Sequence, residues 1–398
     1  MSSPRLQLKK NESRRLRGGH LWVFSNEIDT TVTDLKSLEP GESVEIVDER
    51  GKFIANGYAN PHSLICARIV SRDPAHQLDR SLLVHRLNIA LSLRERLFDK
   101  PYYRLVHGEG DALPGLVVDR FGDVAVVQIT TAGMERVTAD ILEALNKVLR
   151  PSTIILRNDA SLRQLEGLAY SVEVVQGEPP EGLVIEENGT RFLVDPIAGQ
   201  KTGWFFDHRM NRCRMQDYVR ERRVLDLFSY TGSWGVQAAV AGASDVMCVD
   251  ASATALDMAY ENAALNGQQE RLALLEGDAF EALKALREER ERFDVVILDP
   301  PAFIKRKKDA ARGLEAYERI NRMAMQVLAK DGILISASCS HHLQRDKLPD
   351  IMLKGARHID REMQLLEEGH QGPDHPIHPA IPETRYIKCF TARILPAR

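Results

Sequence analysis

The sequence predicts an α/β fold whose C-terminal part is a doubly wound, mostly parallel sheet. From residue 224 onward, short apolar runs alternate with helical patterns, the order of elements that builds βαβ units. The segment 224–235, VLDLFSYTGSWG, gives the first strand, a tight loop and the start of a helix. A loop of this kind, at the carboxyl end of the first parallel strand, holds a nucleotide-like cofactor in doubly wound folds.

Composition narrows the class of protein. A length of 398 residues suits two or three domains, and 43% hydrophobic residues with a net charge of −4 are typical of a soluble globular protein. No apolar run is long enough for a membrane span, and no signal-peptide core follows the basic start, so we expect a cytoplasmic protein. Five scattered cysteines argue against a disulfide framework.

Residues 1–74 are predicted to form a small β domain with a basic edge. Alternating apolar residues flank turns at 39–41 and 48–51, and SLICARIV at 63–70 reads as another strand. Within the first twenty residues, six cations face the single acid Glu12: Arg5, Lys9, Lys10, Arg14, Arg15 and Arg17. Such a patch could meet RNA phosphates, although a solvated terminus would show the same pattern.

Residues 75–185 are predicted to form a central α+β domain. Helices are expected at 79–98 and 134–149, and strands at 116–118, 124–129, 154–157 and 171–175. We find no catalytic constellation here and interpret Asp111 and Asp119 as turn residues. The loop GEPPEG at 177–182 predicts a boundary, after which residues 186–398 form the third domain.

The third domain begins with an unusual segment, GQKTGWFFDHR at 199–209, between a strand at 191–194 and a helix at 210–219. Further strands are predicted at 245–249, 272–275, 294–298, 333–337 and 386–394, with helices at 253–266 and 314–328. Five polar residues fall at the carboxyl ends of parallel strands and should cluster at one edge of the sheet: Asp226, Asp250, Asp278, Asp299 and Cys339.

Spacing around the first strand indicates the kind of cofactor. Asp250 lies 24 residues after Asp226, about where doubly wound folds place a carboxylate on ribose hydroxyls. A dinucleotide loop needs three glycines, but this loop keeps only Gly232 and Gly235. The pattern therefore disfavours a pyrophosphate-containing cofactor.

Cys339 is the candidate nucleophile. A thiolate that adds to carbon 6 of a pyrimidine makes carbon 5 nucleophilic, which divides a difficult methylation into easier steps. His341 and His342 are candidate proton acceptors by proximity in sequence only, and capping or surface roles are the alternative. Cys339 could also be a small buried hydrophobe, the role we assign to Cys66, Cys213, Cys248 and Cys389.

The turn DPPAF at 299–303 is the second candidate. Pro300 and Pro301 lack N–H donors, which leaves carbonyl acceptors suited to the amino group of a base. The basic run Lys305-Arg306-Lys307-Lys308 follows directly, and it is either a solvated loop or a contact for RNA phosphates.

Several motifs resemble known families. The D-x-F-x-x-x-G loop of Asp226, Phe228 and Gly232 resembles the first motif of S-adenosylmethionine (SAM) methyltransferases, and residues 41–70 resemble a PUA domain. GQKTGWFFDHR, DLFSYTG, DPPAF and SCSHH, in that order, resemble the RlmI-type large-subunit 23S rRNA methyltransferases, which form 5-methylcytosine. The resemblance implies an N-terminal PUA-like β barrel, a central α+β domain and a C-terminal Rossmann-like domain. It also implies SAM as cofactor, large-subunit rRNA as partner and no metal.

The resemblance carries over to individual residues. It implies Cys339 as nucleophile and Asp299 with Pro300 as contacts to the cytosine. The expected cofactor-binding residues are Gln200, Phe206, Arg209, Phe228, Ser229, Tyr230, Thr231, Gly232, Asp250, Ser252, Asp278, Ala279 and Asp299. DPPAF carries no second cysteine, unlike a sister group of cytosine-5 enzymes, so product release must use another group.

Two other functions stay open. The first is methylation of a guanine or adenine nitrogen in rRNA, because GQKTG-like motifs also occur in guanine-modifying relatives. Against it, Ala302 stands where the D-P-P-Y form of amino-methylating enzymes has an aromatic residue. The second is a non-catalytic, rRNA-binding assembly factor.

Overall fold

A computed structural model describes residues 3–397 and divides into two compact units. Unit 1 comprises residues 3–183, 194–206 and 373–384, and unit 2 comprises residues 184–193, 207–372 and 385–397. The boundaries at 74 and 185 inferred from sequence stay predictions. Among the described residues, no helix is both long and apolar enough to cross a membrane.

The N-terminal part of unit 1 is built on a five-stranded sheet in the order β1-β3-β4-β5-β2. Its elements are β1 Arg5–Gln7, α1 Ser13–Arg17, β2 Trp22–Phe24, β3 Glu42–Val47, β4 Phe53–Ala59 and β5 Ile65–Ser71. Strands β1 and β2 were not predicted, because three residues are too few to show a period. The core of this sheet includes fully buried Leu6, Val23 and Ile46, and it also takes in Ile381 from segment 373–384.

A second five-stranded sheet, in the order β10-β9-β8-β7-β6, follows in unit 1. Its elements are α2 Arg80–Leu97, β6 Tyr102–His107, β7 Leu116–Phe121, β8 Val124–Ile129, α3 Ala132–Arg136, α4 Thr138–Val148, β9 Thr153–Asn158, α5 Leu162–Leu165 and β10 Ser171–Gln176. Asp79 caps α2 by accepting from the Leu82 N–H at 2.8 Å. The helix predicted at 134–149 is two helices, α3 and α4, which meet at Val137.

The interpretation of Asp119 as a turn residue is wrong. Strand β7 runs three residues beyond the predicted end, and Asp119 lies within it with no exposed surface. Arg104 donates to both of its oxygens at 2.9 and 2.8 Å, and the Thr202 hydroxyl donates at 2.5 Å. This neutralisation permits a carboxylate in a buried strand, and it ties the GQKTG segment to the sheet of unit 1.

Asp111 ends a short 3₁₀ turn at Gly108–Asp111, but it is also half of a buried ion pair. Arg94 is fully buried and donates to the two Asp111 oxygens at 2.6 and 2.8 Å. The same guanidinium donates to the carbonyl of Asp374 at 2.8 Å, and the Asp374 carboxylate accepts from the Arg104 backbone at 3.1 Å. Segment 373–384 is therefore hydrogen-bonded into unit 1.

Unit 2 is organised on a seven-stranded sheet in the order β15-β14-β13-β16-β17-β19-β18. A two-stranded sheet, β11 Leu183–Glu187 with β12 Thr190–Val194, and helix α6 Arg209–Met215 precede it. The remaining elements are β13 Arg223–Leu227, α7 Gly235–Val240, β14 Asp245–Asp250, α8 Ala253–Leu265, β15 Leu272–Glu276, α9 Ala279–Glu288, β16 Phe293–Leu298, α10 Ala310–Val327, β17 Leu328–Ser338, α11 Lys347–Arg357, β18 Arg361–Gly369 and β19 Lys388–Pro396.

The pairing of these strands positions the site. Strands β15, β14, β13, β16 and β17 are parallel, and β19 is antiparallel to both of its neighbours. The order reverses at β13, which pairs with β14 on one side and β16 on the other. A crevice for a ligand opens at the carboxyl ends of such strands. The predicted fold class, with its mostly parallel C-terminal sheet, is confirmed.

Candidate active site

The loop after β13 starts from a buried carboxyl group. Asp226 has no exposed surface, and its Oδ2 accepts from the Gly235 N–H at 2.8 Å. A side chain at Gly235 would collide with the Cys248 sulfur, so only glycine lets α7 begin this close to the sheet. Burial raises the pKa of Asp226 well above its usual value. Asp226 therefore fixes the shape of the loop through its hydrogen bond to the start of α7.

The predicted cofactor residues 228–232 form a strained turn above Asp226. Phe228 and Tyr230 adopt left-handed backbone conformations, with φ of 62° and 49°, that non-glycine residues rarely take. The turn is held from β14, because the Ser229 N–H donates to the Val249 carbonyl at 3.0 Å and the Tyr230 N–H to Asp250 Oδ2 at 2.8 Å. The Thr231 hydroxyl oxygen is buried with no hydrogen-bond partner among the described residues, which suits a polar ligand group.

The ends of β14 and β15 bring together the next predicted group. Asp250 accepts from the Ser252 N–H at 3.0 Å through the oxygen that Tyr230 does not use. Ser252 caps α8 through the Ala255 N–H, and Asp278 caps α9 through the N–H groups of Phe280 and Glu281. Ala279 is the first residue of α9. Ser252 and Asp278 thus act as helix caps, and their contact with a cofactor stays a prediction.

Two residues that the sequence did not single out lie beside Asp299, which follows β16 directly. The Trp234 indole N–H donates to Oδ2 at 3.0 Å, and His208 Nε2 lies 3.5 Å from Oδ1. The His208 and Trp234 rings pack on each other with centroids 5.5 Å apart. His208 belongs to GQKTGWFFDHR, the motif from which Gln200, Phe206 and Arg209 were predicted as cofactor-binding residues. Arg209 is buried, and its Nε lies 3.4 Å from Glu187 Oε2.

The motif GQKTGWFFDHR is divided between the units. Residues 199–206 belong to unit 1 and residues 207–209 to unit 2. Gln200 is exposed, while Phe206 is buried against Phe121 with ring centroids 5.4 Å apart. The roles of Gln200, Phe206 and Arg209 toward the cofactor stay predictions.

Cys339 follows β17 directly and is partly exposed between two buried serines. The Tyr317 hydroxyl lies 2.8 Å from both the Ser338 and Ser340 hydroxyls, and Ser338 Oγ accepts from the Ser340 N–H at 3.1 Å. Ser340 Oγ also accepts from the Ile304 N–H at 3.2 Å, which ties this turn to the segment just beyond DPPAF. The backbone around the thiol is therefore fixed from both sides.

The other cysteines differ from Cys339. Cys66, Cys248 and Cys389 are buried, and burial raises the pKa of each thiol, to about 12 for Cys66. These three are packing residues. Cys213 is exposed on α6, so its predicted packing role is wrong. Cys339 is the cysteine that combines access with a strand-end position.

Lys388 is a buried cation beside Cys339 that sequence reasoning missed. It stands opposite Ser338 in the pairing of β19 with β17, and it is 4% exposed. Its ammonium donates to the carbonyl oxygens of Ser340 at 2.6 Å and of Tyr386 at 3.0 Å. Burial lowers the pKa of Lys388 to about 8. In the sequence, YIKCF reads as an ordinary strand, and only the register shows where this lysine lies.

His341 and His342, the predicted candidates for the proton acceptor, are both exposed, and their rings pack edge to face at 5.4 Å. Within the part of the chain that the structure describes, no group of three or more His, Cys, Asp or Glu side chains is placed to hold a metal ion.

Comparison with known proteins identifies the family to which this architecture belongs. Residues 104–382 match the family model of S-adenosylmethionine-dependent methyltransferases, and residues 6–72 match that of PUA-like domains. A protein of Salmonella gallinarum named ribosomal RNA large subunit methyltransferase I is 38% identical over 397 residues, covering 98% of each chain. An Escherichia coli protein of the same name is 37% identical and covers 99% of this chain and 100% of its own. This chain belongs to the ribosomal RNA large subunit methyltransferase I family.

Solved structures agree on the fold of this methyltransferase. A protein described as a methyltransferase and solved in complex with S-adenosylhomocysteine has a TM-score of 0.84 at 20% identity, covering 98% of this chain and all of that one. A Streptococcus mutans protein described as a SAM-dependent methyltransferase has a TM-score of 0.82, also at 20% identity and with the same coverage. The cofactor of this methyltransferase is SAM, and the unsatisfied Thr231 hydroxyl and the Asp250 carboxylate suit its polar groups.

Replacing Asp250 with alanine should weaken SAM binding by about tenfold to a hundredfold, because a charge-assisted hydrogen bond is worth ~1.5–3 kcal/mol. Calorimetric titration with SAM measures this. The control is Asp245→Ala at the other end of the same strand, where the carboxylate pairs with Arg223 at 3.2 Å. Equal affinity in the wild type and Asp250→Ala would remove Asp250 from the cofactor site.

Proposed function

We propose that this methyltransferase transfers a methyl group from SAM to carbon 5 of a cytosine in large-subunit rRNA, through a covalent bond to Cys339. The observation that carries the proposal is an accessible thiol at the end of β17, next to β16, whose end bears Asp299 and Pro300. The names of the relatives supply the class of RNA. In this proposal, residues 1–74 bind RNA, residues 75–185 form the central domain, and residues 186–398 catalyse the methyl transfer. The protein acts in the cytoplasm.

The chemistry proceeds through bonds to the pyrimidine ring. The Cys339 thiolate bonds to carbon 6, and the electrons of the 5,6 double bond move to carbon 5. Carbon 5 then bonds to the methyl group that SAM supplies, and the bond between that methyl group and the sulfur of SAM breaks, which leaves S-adenosylhomocysteine. A base removes the hydrogen from carbon 5, the double bond re-forms, and the carbon 6–sulfur bond breaks to return the thiolate. Asp299 and the Pro300 carbonyl would hold the pairing edge of a cytosine turned out of its stack.

Two features favour carbon over nitrogen as the methylated atom. Nitrogen methylation needs no thiol, so it leaves Cys339 without a purpose. In addition, the aromatic residue of DPPAF contacts other aromatic rings of the protein. Phe303 packs against Tyr317 with ring centroids 4.8 Å apart, and against Phe280 and Phe228 with centroids 6.2 and 6.3 Å apart. Because Phe303 already packs against these three rings, it is less suited to stack on a base than the aromatic residue of the D-P-P-Y form.

The RNA contacts proposed for the basic N-terminus need revision. Three of its six cations are offset by carboxylates: Arg5 by Glu45, Arg15 by Glu27, and Arg17 by Asp48. Lys10 and Arg14 are exposed, and no ion pair of either is found among the described residues. Residues 305–308 are also exposed, although Arg306 pairs with Asp309 at 2.8 Å. Lys10, Arg14, Lys305, Lys307 and Lys308 are the better candidates for phosphate contacts.

Replacing both Lys10 and Arg14 with glutamine should make the slope of log K against log salt for rRNA-fragment binding less steep by about 1 to 2. Fewer counterions are released when the protein contacts fewer phosphates. SAM affinity should not change. Arg5→Gln with Arg17→Gln is the matched control, since carboxylates already offset those charges. A slope equal to that of the wild type would show that RNA does not run over this edge.

The experiment that tests the function is product analysis. Large-subunit rRNA lacking the modification is incubated with the enzyme and isotope-labelled SAM, and its nucleosides are separated by mass spectrometry. We expect labelled 5-methylcytidine. Labelled methylguanosine or methyladenosine would instead support the nitrogen-methylating alternative. Binding of SAM and rRNA without any transfer would support an assembly factor.

A further inference from the structure

The buried ammonium of Lys388 faces no carboxylate among the described residues at ion-pair distance. Its hydrogen bonds go to the carbonyl oxygens of Ser340 and Tyr386, and a lone cation in such a place is expensive to desolvate. A nearby anion would offset that penalty. The charged groups that act on Lys388 are Cys339 and Arg345, and Arg345 itself pairs with Glu368.

The fold ties this ammonium to the two residues on either side of the nucleophile. Lys388 and Ser338 stand opposite each other in the antiparallel ladder, so their side chains share a face of the sheet. The carbonyl that holds the ammonium at 2.6 Å belongs to Ser340, the residue after Cys339. The thiol thus lies between two residues that are tied to Lys388, one by strand pairing and one by a hydrogen bond.

We infer that Lys388 stabilises the thiolate form of Cys339, both when the sulfur attacks the pyrimidine and when it leaves. The inference rests on the proposed function, in which Cys339 is the nucleophile. Lys388 acts through Cys339, so it is a positioning residue and not a catalytic one.

The protonation state fits this role. Burial lowers the pKa of Lys388 and the Cys339 thiolate raises it, with a result of about 8, so the amine is mostly protonated at pH 7. The interaction is reciprocal, because a cation that is stabilised by a thiolate stabilises that thiolate equally. When sulfur is bonded to carbon 6 it carries no charge, and the thiolate that reappears on release again faces the ammonium.

The test measures the thiol directly, in the full-length protein without RNA. The rate of Cys339 alkylation by iodoacetamide is followed against pH by mass spectrometry of its peptide. The variants are Lys388→Met, which keeps the length of the side chain without its charge, and Lys388→Arg, which keeps the charge. Exposed Cys213 is an internal reference in every sample, and Lys347→Met is the control for removal of an exposed lysine.

We expect Lys388→Met to slow Cys339 alkylation at pH 7 by about tenfold and to move its pH profile to higher pH, because loss of a nearby cation raises the pKa of a thiol by about one unit. Lys388→Arg should retain most of the wild-type rate, and Cys213 should not change. An unchanged Cys339 profile in Lys388→Met would overturn the inference. An equal loss in Lys388→Arg would also overturn it, since the lysine would then matter for packing alone.

Failure of this inference is distinct from failure of the proposed function. Alkylation reports the coupling of Lys388 to Cys339 whether or not the enzyme forms 5-methylcytosine. If Cys339→Ser proved fully active, the nucleophile assignment would fall, even with a shifted alkylation profile. If 5-methylcytosine formed through Cys339 but the profile did not depend on Lys388, only the present inference would fall.

Discussion

Replacing Cys339 with serine should reduce turnover by about a thousandfold or more while SAM and RNA bind as before. Serine matches cysteine in shape, but its hydroxyl is a far weaker nucleophile at neutral pH, so the bond to carbon 6 does not form. Steady-state methyl transfer to rRNA measures the loss, and calorimetry with SAM checks the fold. Cys213→Ser is the matched control, because that thiol is exposed on α6 and does not follow a parallel strand.

RNA that carries 5-fluorocytosine gives the same prediction a direct readout. Fluorine takes the place of the carbon 5 hydrogen and cannot leave as a cation to a base, so the wild-type enzyme should stay bonded to the methylated base. The adduct should require SAM, survive denaturing electrophoresis and be absent from Cys339→Ser. Full activity of Cys339→Ser, or an adduct that maps to Cys213 or Cys248, would contradict the assignment while leaving the fold unaffected.

Asp299→Asn should reduce turnover by about a hundredfold, because the amide cannot exchange a proton with the pairing edge of cytosine as a carboxyl group can. Its shape should still allow contacts with Trp234 and His208. Single-turnover rates with saturating SAM separate this effect from weaker cofactor binding.

Asp299 has two predicted roles, toward the cytosine and toward the cofactor, and this variant distinguishes them. A loss of SAM affinity with an unchanged single-turnover rate would make Asp299 a cofactor residue only. Asp257→Asn, a change to an exposed acid on α8, is the control and should behave as the wild type.

The strand-end acids could be predicted because their positions follow from local patterns alone. An apolar run identifies each parallel strand, and the residue after the run lies at the ligand edge of the sheet. Asp250 and Asp299 were found in this way, and the structure places both at strand ends. Cys339 was found by the same rule, although β17 is longer than the predicted strand.

Residues that depend on pairing between distant strands could not be predicted in this way. Lys388 lies beside Cys339 because of the antiparallel register of β19 with β17, and nothing in YIKCF encodes that register. Asp119 was misread because a carboxylate inside a strand requires partners, and its partners Arg104 and Thr202 lie 15 and 83 residues away. The edge strand β18 was missed because its sequence, REMQLLEEG, is largely polar and exposed.

The passage of segment 373–384 into unit 1 has a consequence for synthesis. Arg94 needs the Asp374 carbonyl, which lies 280 residues later in the chain, and the N-terminal core needs Ile381. At a translation rate of ~5–20 residues per second, the emerging N-terminal half lacks these partners for roughly 15 to 60 seconds. Throughout that interval a buried guanidinium is only partly satisfied and an apolar core is open. We therefore expect unit 1 to complete its packing only after most of unit 2 has left the ribosome, and a fragment that stops at residue 185 should be a target for chaperones and proteases.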